Sequence, residues 1–80
     1  MEDAAIQTRI EDLVAEEHRL LEHGETRTLT ADDQARLEKV QVQLDRYYDL
    51  LRQRRARRDA GQDPNEAHLR SADIVEHYQQ

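Results

Sequence analysis

Between residues 35 and 58 the apolar positions recur at alternating steps of three and four. Leu37, Val40, Leu44, Tyr47 and Leu51 mark the series, which has the spacing of a coiled-coil seam. Its next two members are Arg54 and Arg58, so the seam outlasts its hydrophobic residues. No glycine or proline interrupts 31–60, which predicts one helix ending at Gly61. Thr30 stands as its N-cap with Asp32 and Asp33 in the first turn, a Thr-x-x-Asp variant of the capping box.

An earlier helix is predicted over 3–23. Ile6, Ile10, Leu13, Leu20 and Leu21 share one face, with Val14 at its margin and Gly24 as the stop. The short polar connector 25–30 forces the two helices antiparallel, position i of the first opposite about 54 − i of the second. Ile10 then faces Leu44, and Ile6 faces Tyr47 or Tyr48. The second helix is the longer, so Arg54 to Arg58 are expected to project past the start of the first. Residues 62–80 are the natural cover for that overhang. Asp63-Pro64-Asn65-Glu66 reads as a helix start, and Ser71 as the cap of a short turn carrying Ile74, Val75 and Tyr78. The expectation is an all-α protein: an antiparallel two-helix coiled-coil hairpin over 1–61 with a short helical C-terminal segment over 62–80.

Composition narrows the function. Leu, Ile and Val together number 16 among 80 residues, and the only aromatics are three tyrosines. Chains with so small a core commonly gain stability by associating, so a homodimer is expected. There is no cysteine, hence no thiol nucleophile, disulfide or cysteine-held zinc. No apolar run approaches ~18 residues and no signal-peptide pattern opens the chain, which predicts a cytoplasmic protein without a membrane span.

The net charge of −6 argues against a dedicated nucleic-acid binder, but it hides a partition. Residues 1–33 carry ten acids against three arginines, residues 34–58 eight bases against three acids, and residues 59–80 five acids against one arginine. An acidic, basic, acidic order along a helical chain suggests that it folds back on itself.

Candidate chemistry is sparse. Arg52, Arg54, Arg55 and Arg58 form a cluster suited to an acidic protein partner, or alternatively to an anionic nucleotide or phosphate, because guanidinium forks pair bidentately with such groups. The competing reading is a solvated helix end that complements the helix dipole. Glu17 falls at the centre of the first helix's apolar face, where an unpaired carboxylate is costly; an ion pair with Arg36 across the seam is expected. His18 with Glu22, and Asp73 with His77, stand at i, i+4, but two ligands without a third do not make a metal site. Ser71 is the only serine, and there is no glycine-rich phosphate loop. The sequence therefore predicts no catalytic residues, no metal and no cofactor.

The segments RIEDLVAEEHRLLE, LDRYYDLLRQRRARRDAGQDPNEAHLR and IVEHYQQ together resemble a small actinobacterial family of helical hairpins of unknown function, over nearly the whole chain. The most specific parts are Glu16-Glu17-His18, the run from Asp49 to Arg55, and Ala60-Gly61-Gln62-Asp63-Pro64. The family's pattern carries a tryptophan near Tyr48, so the tyrosine is a departure in packing rather than chemistry. The resemblance implies a hairpin fold and adds no activity. A looser architectural likeness is to helical-hairpin anti-sigma factors that bind a cyclic dinucleotide, whose signature has no match on either helix. The reading as a whole is a noncatalytic, self-associating interaction module with an arginine-rich helix end, the alternative being a ligand-responsive regulator.

Overall fold

The computed structural model describes residues 1–78, and the side chains of residues 1–75. It is all-α. Helix α1 spans Asp3–Thr26, helix α2 spans Ala31–Asp59, a single 3-10 turn covers Pro64–Glu66, and α3 spans Ala72–Tyr78. The long helices form an antiparallel hairpin, and both the 3-10 turn and α3 pack on α2. The body measures 50 × 26 × 15 Å, so little of the chain lies far from solvent.

Local chemistry sets the ends of α2. The Asp33 N–H donates to the Thr30 hydroxyl at 3.0 Å, and the Thr30 N–H donates to the Asp33 carboxylate at 3.4 Å, closing the capping box. At the other end the Gly61 N–H reaches the Arg58 carbonyl at 3.1 Å and the Gln62 N–H reaches the Arg57 carbonyl at 2.7 Å. That is a Schellman motif, and it places Gly61 at φ 73°, where a side chain would be strained.

Gly24 does not stop α1, contrary to expectation. The helix runs on to Thr26, and its end is made by the Arg27 N–H and the Thr26 hydroxyl, which both donate to the His23 carbonyl. Neither backbone nor space demands glycine here: its φ is not positive, and a Cβ would meet only the Leu29 side chain, at an ordinary contact distance of 3.4 Å.

The core is one cluster of Ile6, Ile10, Leu13, Val40, Leu44 and Leu50, with Tyr47, Leu51 and Ala67 packed against it. Ile6 and Val40 are fully buried. Leu21 and Tyr48, expected at the interface, are exposed instead. One residue is 100° of helix, and Leu21 and Tyr48 each follow a position that does face the partner helix. Leu50, which falls outside the series of threes and fours, is buried as well, with Ala67 of the segment after Gly61 packed against the same cluster.

Candidate functional site

The arginine end of α2 is built inward. Arg54 continues the apolar series and is 5% exposed. Its Nε donates to Asp3 Oδ1 at 2.5 Å, and its Nη1 donates to the Pro64 carbonyl and to Asn65 Oδ1, both at 3.1 Å. One guanidinium therefore ties together the first turn of α1, the last turns of α2 and the 3-10 turn. Arg58 donates to the other oxygen of Asp3. The overhang is thus closed, by Asp3 on one side and residues 64–65 on the other. Of the four arginines proposed for a partner, Arg54 and Arg58 are committed to internal contacts. Arg52 and Arg55 are exposed and make no hydrogen bond or ion pair with a described residue.

Arg36 also pairs differently from expectation. It forms a two-pronged fork with Glu16, Nε to Oε2 at 2.5 Å and Nη2 to Oε1 at 2.7 Å, rather than with Glu17. Glu16 and Glu17 are both half-buried, but by helical phase Glu16 stands on the margin of α1 that matches Arg36, whereas Glu17 lies nearer the seam. The Asp3–Arg54 and Glu16–Arg36 contacts bracket the 54 − i register expected from the connector.

Both carboxylates are held below the ordinary range. For Asp3 the largest cause is the hydrogen bond from Arg54, with Arg58 adding to it; for Glu16 it is the fork from Arg36, which in turn raises the Arg36 pKa. A carboxylate whose folded-state pKa is depressed binds fewer protons folded than unfolded between the two pKa values. Its stabilisation is present above the unfolded value of about 4 and is lost as pH falls through the folded one. Thermal melts in acid should therefore drop steeply below about pH 4. Asp3→Asn should melt lower at neutral pH and show a shallower acid slope; an unchanged slope would refute the role of Asp3.

The segment after Gly61 forms a strap over a second face of α2. Arg46 Nε donates to the Arg70 carbonyl at 2.9 Å, and Gln53 Nε2 donates to the His68 carbonyl at 2.8 Å. Asp49, 5% exposed, accepts from Gln53 at 2.8 Å and faces Arg70 Nε at 3.6 Å. Arg57 reaches Glu66 at 3.4 Å. The Asp63 carboxylate caps the 3-10 turn through the Asn65 N–H at 2.9 Å. The Ser71 hydroxyl accepts from the Ile74 N–H at 3.4 Å at the start of α3. Val75 is buried while Ile74 is exposed, and the side chains of His77 and Tyr78 lie outside the described residues.

Helical period then identifies what is left bare. The Glu16–Arg36 fork marks one margin of the hairpin, where a cleft of about 200 Å³ is lined by Arg9, Glu16, Arg36, Gln43 and Tyr47. Leu50, beneath the strap, stands on the same margin of α2, two heptads beyond Arg36. The opposite margin carries Val14 and Leu21 of α1 with Tyr48 and Arg55 of α2. Val14 is 38% exposed, Leu21 47% and Tyr48 41%. Half-buried Leu37 and Leu51 lie along the same edge of the seam.

His18 and Glu22 do approach at 3.7 Å, in full exposure. Among the described residues no three His, Asp or Glu side chains converge as a metal ion would require. No helix among them is long and apolar enough to cross a membrane.

The sequence spacing singled out Arg54 but not its burial, and the strap's contacts were missed altogether. A signal for the latter was present in Leu50, a large aliphatic off the seam with Arg46 and Gln53 flanking it on the same face.

Comparison with known proteins identifies a family and adds no activity. The chain is 46% identical over 79 residues to Rv0898c, an uncharacterized protein of Mycobacterium tuberculosis, covering 95% of this chain and 88% of the relative. The same figures hold for the uncharacterized protein Mb0922c of Mycobacterium bovis. No solved structure matches. With the family model for proteins of unknown function DUF2630 matching residues 2–80, this helical hairpin belongs to that family.

Proposed function

We propose that the chain is a noncatalytic protein-interaction module of the cytoplasm that pairs with a second copy of itself through the bare margin of the hairpin. The observation that carries this reading is the exposed row of Val14, Leu21 and Tyr48 on the side away from the strap. Tyrosine and arginine are among the residue types enriched where interfaces carry most of their binding energy, and Tyr48 and Arg55 stand one heptad apart on this margin. An acidic partner for Arg55 is available in a second α1, since residues 1–33 carry ten acids against three arginines. The face has a suitable size. A helix of 24 residues is about 36 Å long, and two helices side by side are roughly 20 Å across. That offers about 700 Å², close to the roughly 800 Å² per partner of a standard interface.

The regulator reading, in which Arg52, Arg54, Arg55 and Arg58 capture an anionic ligand, is less favoured because Arg54 is engaged by Asp3 and the 3-10 turn and Arg58 by Asp3.

Sedimentation equilibrium at micromolar concentration should give about twice the 9.5 kDa chain mass. Leu21→Glu and Tyr48→Glu should each return the monomer while leaving a cooperative melt. A monomeric wild-type chain would overturn the proposal.

A further inference from the structure

The basic charge that the internal contacts leave over is gathered in another place. Where the strap crosses the last turns of α2, two adjoining clefts of about 200 and 230 Å³ share Gln53, Ala56 and Arg70 in their walls. Arg52 completes one and Arg57 with Gln62 the other. The small side chain of Ala56 leaves the gap between them. Three guanidinium groups therefore border one concave region, two from α2 and one from the strap.

These arginines are held far less tightly than Arg36 and Arg54. Arg52 has no partner among the described residues. Arg70 stands no nearer than 3.6 Å to the Asp49 carboxylate, a long and weak ion pair. Arg57 reaches Gln62 at 3.5 Å and Glu66 at 3.4 Å, both long for charge-assisted hydrogen bonds of about 2.7–2.9 Å. The Asp49 carboxylate, the negative group in the wall, is buried and already accepts from Gln53.

We infer that the cleft between the strap and α2 is a binding site for a phosphate group, held by Arg52, Arg57 and Arg70. A tetrahedral dianion carries more charge than a carboxylate and offers acceptor oxygens in several directions, so it suits three guanidinium groups that converge from two segments. Each cleft is smaller than the ~300–1,000 Å³ of sites that enclose drug-sized ligands. The occupant is therefore inorganic phosphate, pyrophosphate or the terminal phosphate of a larger molecule whose remainder lies outside. Because its three arginines come from two segments, a bound phosphate also staples the strap to α2. The inference does not depend on self-association, which uses the other side of α2.

Titration of the intact chain with sodium phosphate and sodium pyrophosphate, followed by backbone amide NMR shifts against sodium chloride of matched ionic strength, tests it. The expected result is saturable shifts centred on residues 52–57 and 62–70, with slowed hydrogen exchange in the strap. Arg52→Gln, which removes no contact of the folded chain, and Arg70→Gln should each weaken binding about tenfold or more. Arg55→Gln, on the bare margin, should leave it within about twofold. Shifts that do not saturate, that chloride reproduces, or that survive both Arg52→Gln and Arg70→Gln overturn the inference.

Discussion

Replacing Arg54 by alanine is expected to lower the unfolding free energy by about 2–4 kcal/mol, as much as a large core truncation. Three hydrogen bonds end on this guanidinium; the Asp3 carboxylate and the exposed Asn65 amide can turn to water when the arginine is gone, while the half-buried Pro64 carbonyl is less free to do so. The Pro64 carbonyl and Asn65 lose the donor that holds them against α2. The aliphatic stem adds lost packing, since the whole residue is 5% exposed. For a chain of 80 residues each kcal/mol corresponds to about 4–8 °C, so circular-dichroism melts should shift by roughly 10 °C or more. Arg54→Lys should recover less than half of this, because one ammonium cannot reach acceptors on both α1 and the 3-10 turn. Arg55→Ala, one residue away but exposed, should stay within about 0.5 kcal/mol when both variants are melted at concentrations low enough to keep the chain monomeric. A loss at Arg54 no larger than at Arg55 would mean that the contacts are not formed in solution.

The contrast between Arg54 and Arg55 shows what a periodic pattern reveals. The series of threes and fours through Leu37, Val40, Leu44, Tyr47 and Leu51 places Arg54 on the buried side, and Val40 and Leu44 are indeed buried. It gives no information about what an arginine in that series will meet. An arginine pointing off the end of a hairpin and one capped by Asp3 have the same period, and only the position of α1's first turn separates them. Glu16 and Glu17 pose the same difficulty in smaller form. Both are acids opposite Arg36, and the exposed margin on which Arg36 stands selects Glu16.

The strap was less legible still, for a different reason. Its docking face on α2 is made of Arg46, Asp49, Gln53 and Arg57, with Leu50 as the apolar anchor, so no hydrophobic stripe announces it. Two of its attachments, from Arg46 and Gln53, end on backbone carbonyls of Arg70 and His68. A carbonyl is present at every residue and leaves no mark in the sequence. The capping signals at Thr30, Asp63 and Ser71 were readable because there the side chain itself is the acceptor. Gly24 reads as a helix stop, but it takes no positive φ, and the bonds that end α1 close instead on the His23 carbonyl, which leaves no mark in the sequence.

Folding and self-association make opposite demands on two aliphatic residues of α1, and alanine at each should separate them. Ile6 is fully buried in the central cluster, and its truncation removes three carbons from a closed site. Such changes cost about 2–5 kcal/mol, the larger values arising where the surroundings cannot collapse. At roughly 0.05–0.15 kcal/mol per residue an 80-residue chain has about 4–12 kcal/mol in all. Ile6→Ala should thus remove a large share of the stability and leave a melt well below that of the parent at every protein concentration. Leu21 is 47% exposed, and Leu21→Ala in a monomeric chain should change little, within about 0.5 kcal/mol. If the bare margin is the surface between two copies, the melt of the parent rises with concentration, and Leu21→Ala lowers it most at high concentration and least at low. Dilution series of thermal melts for the three chains measure both effects together. An equal loss for Leu21→Ala at all concentrations would place Leu21 in the fold of the single chain and remove it from the interface.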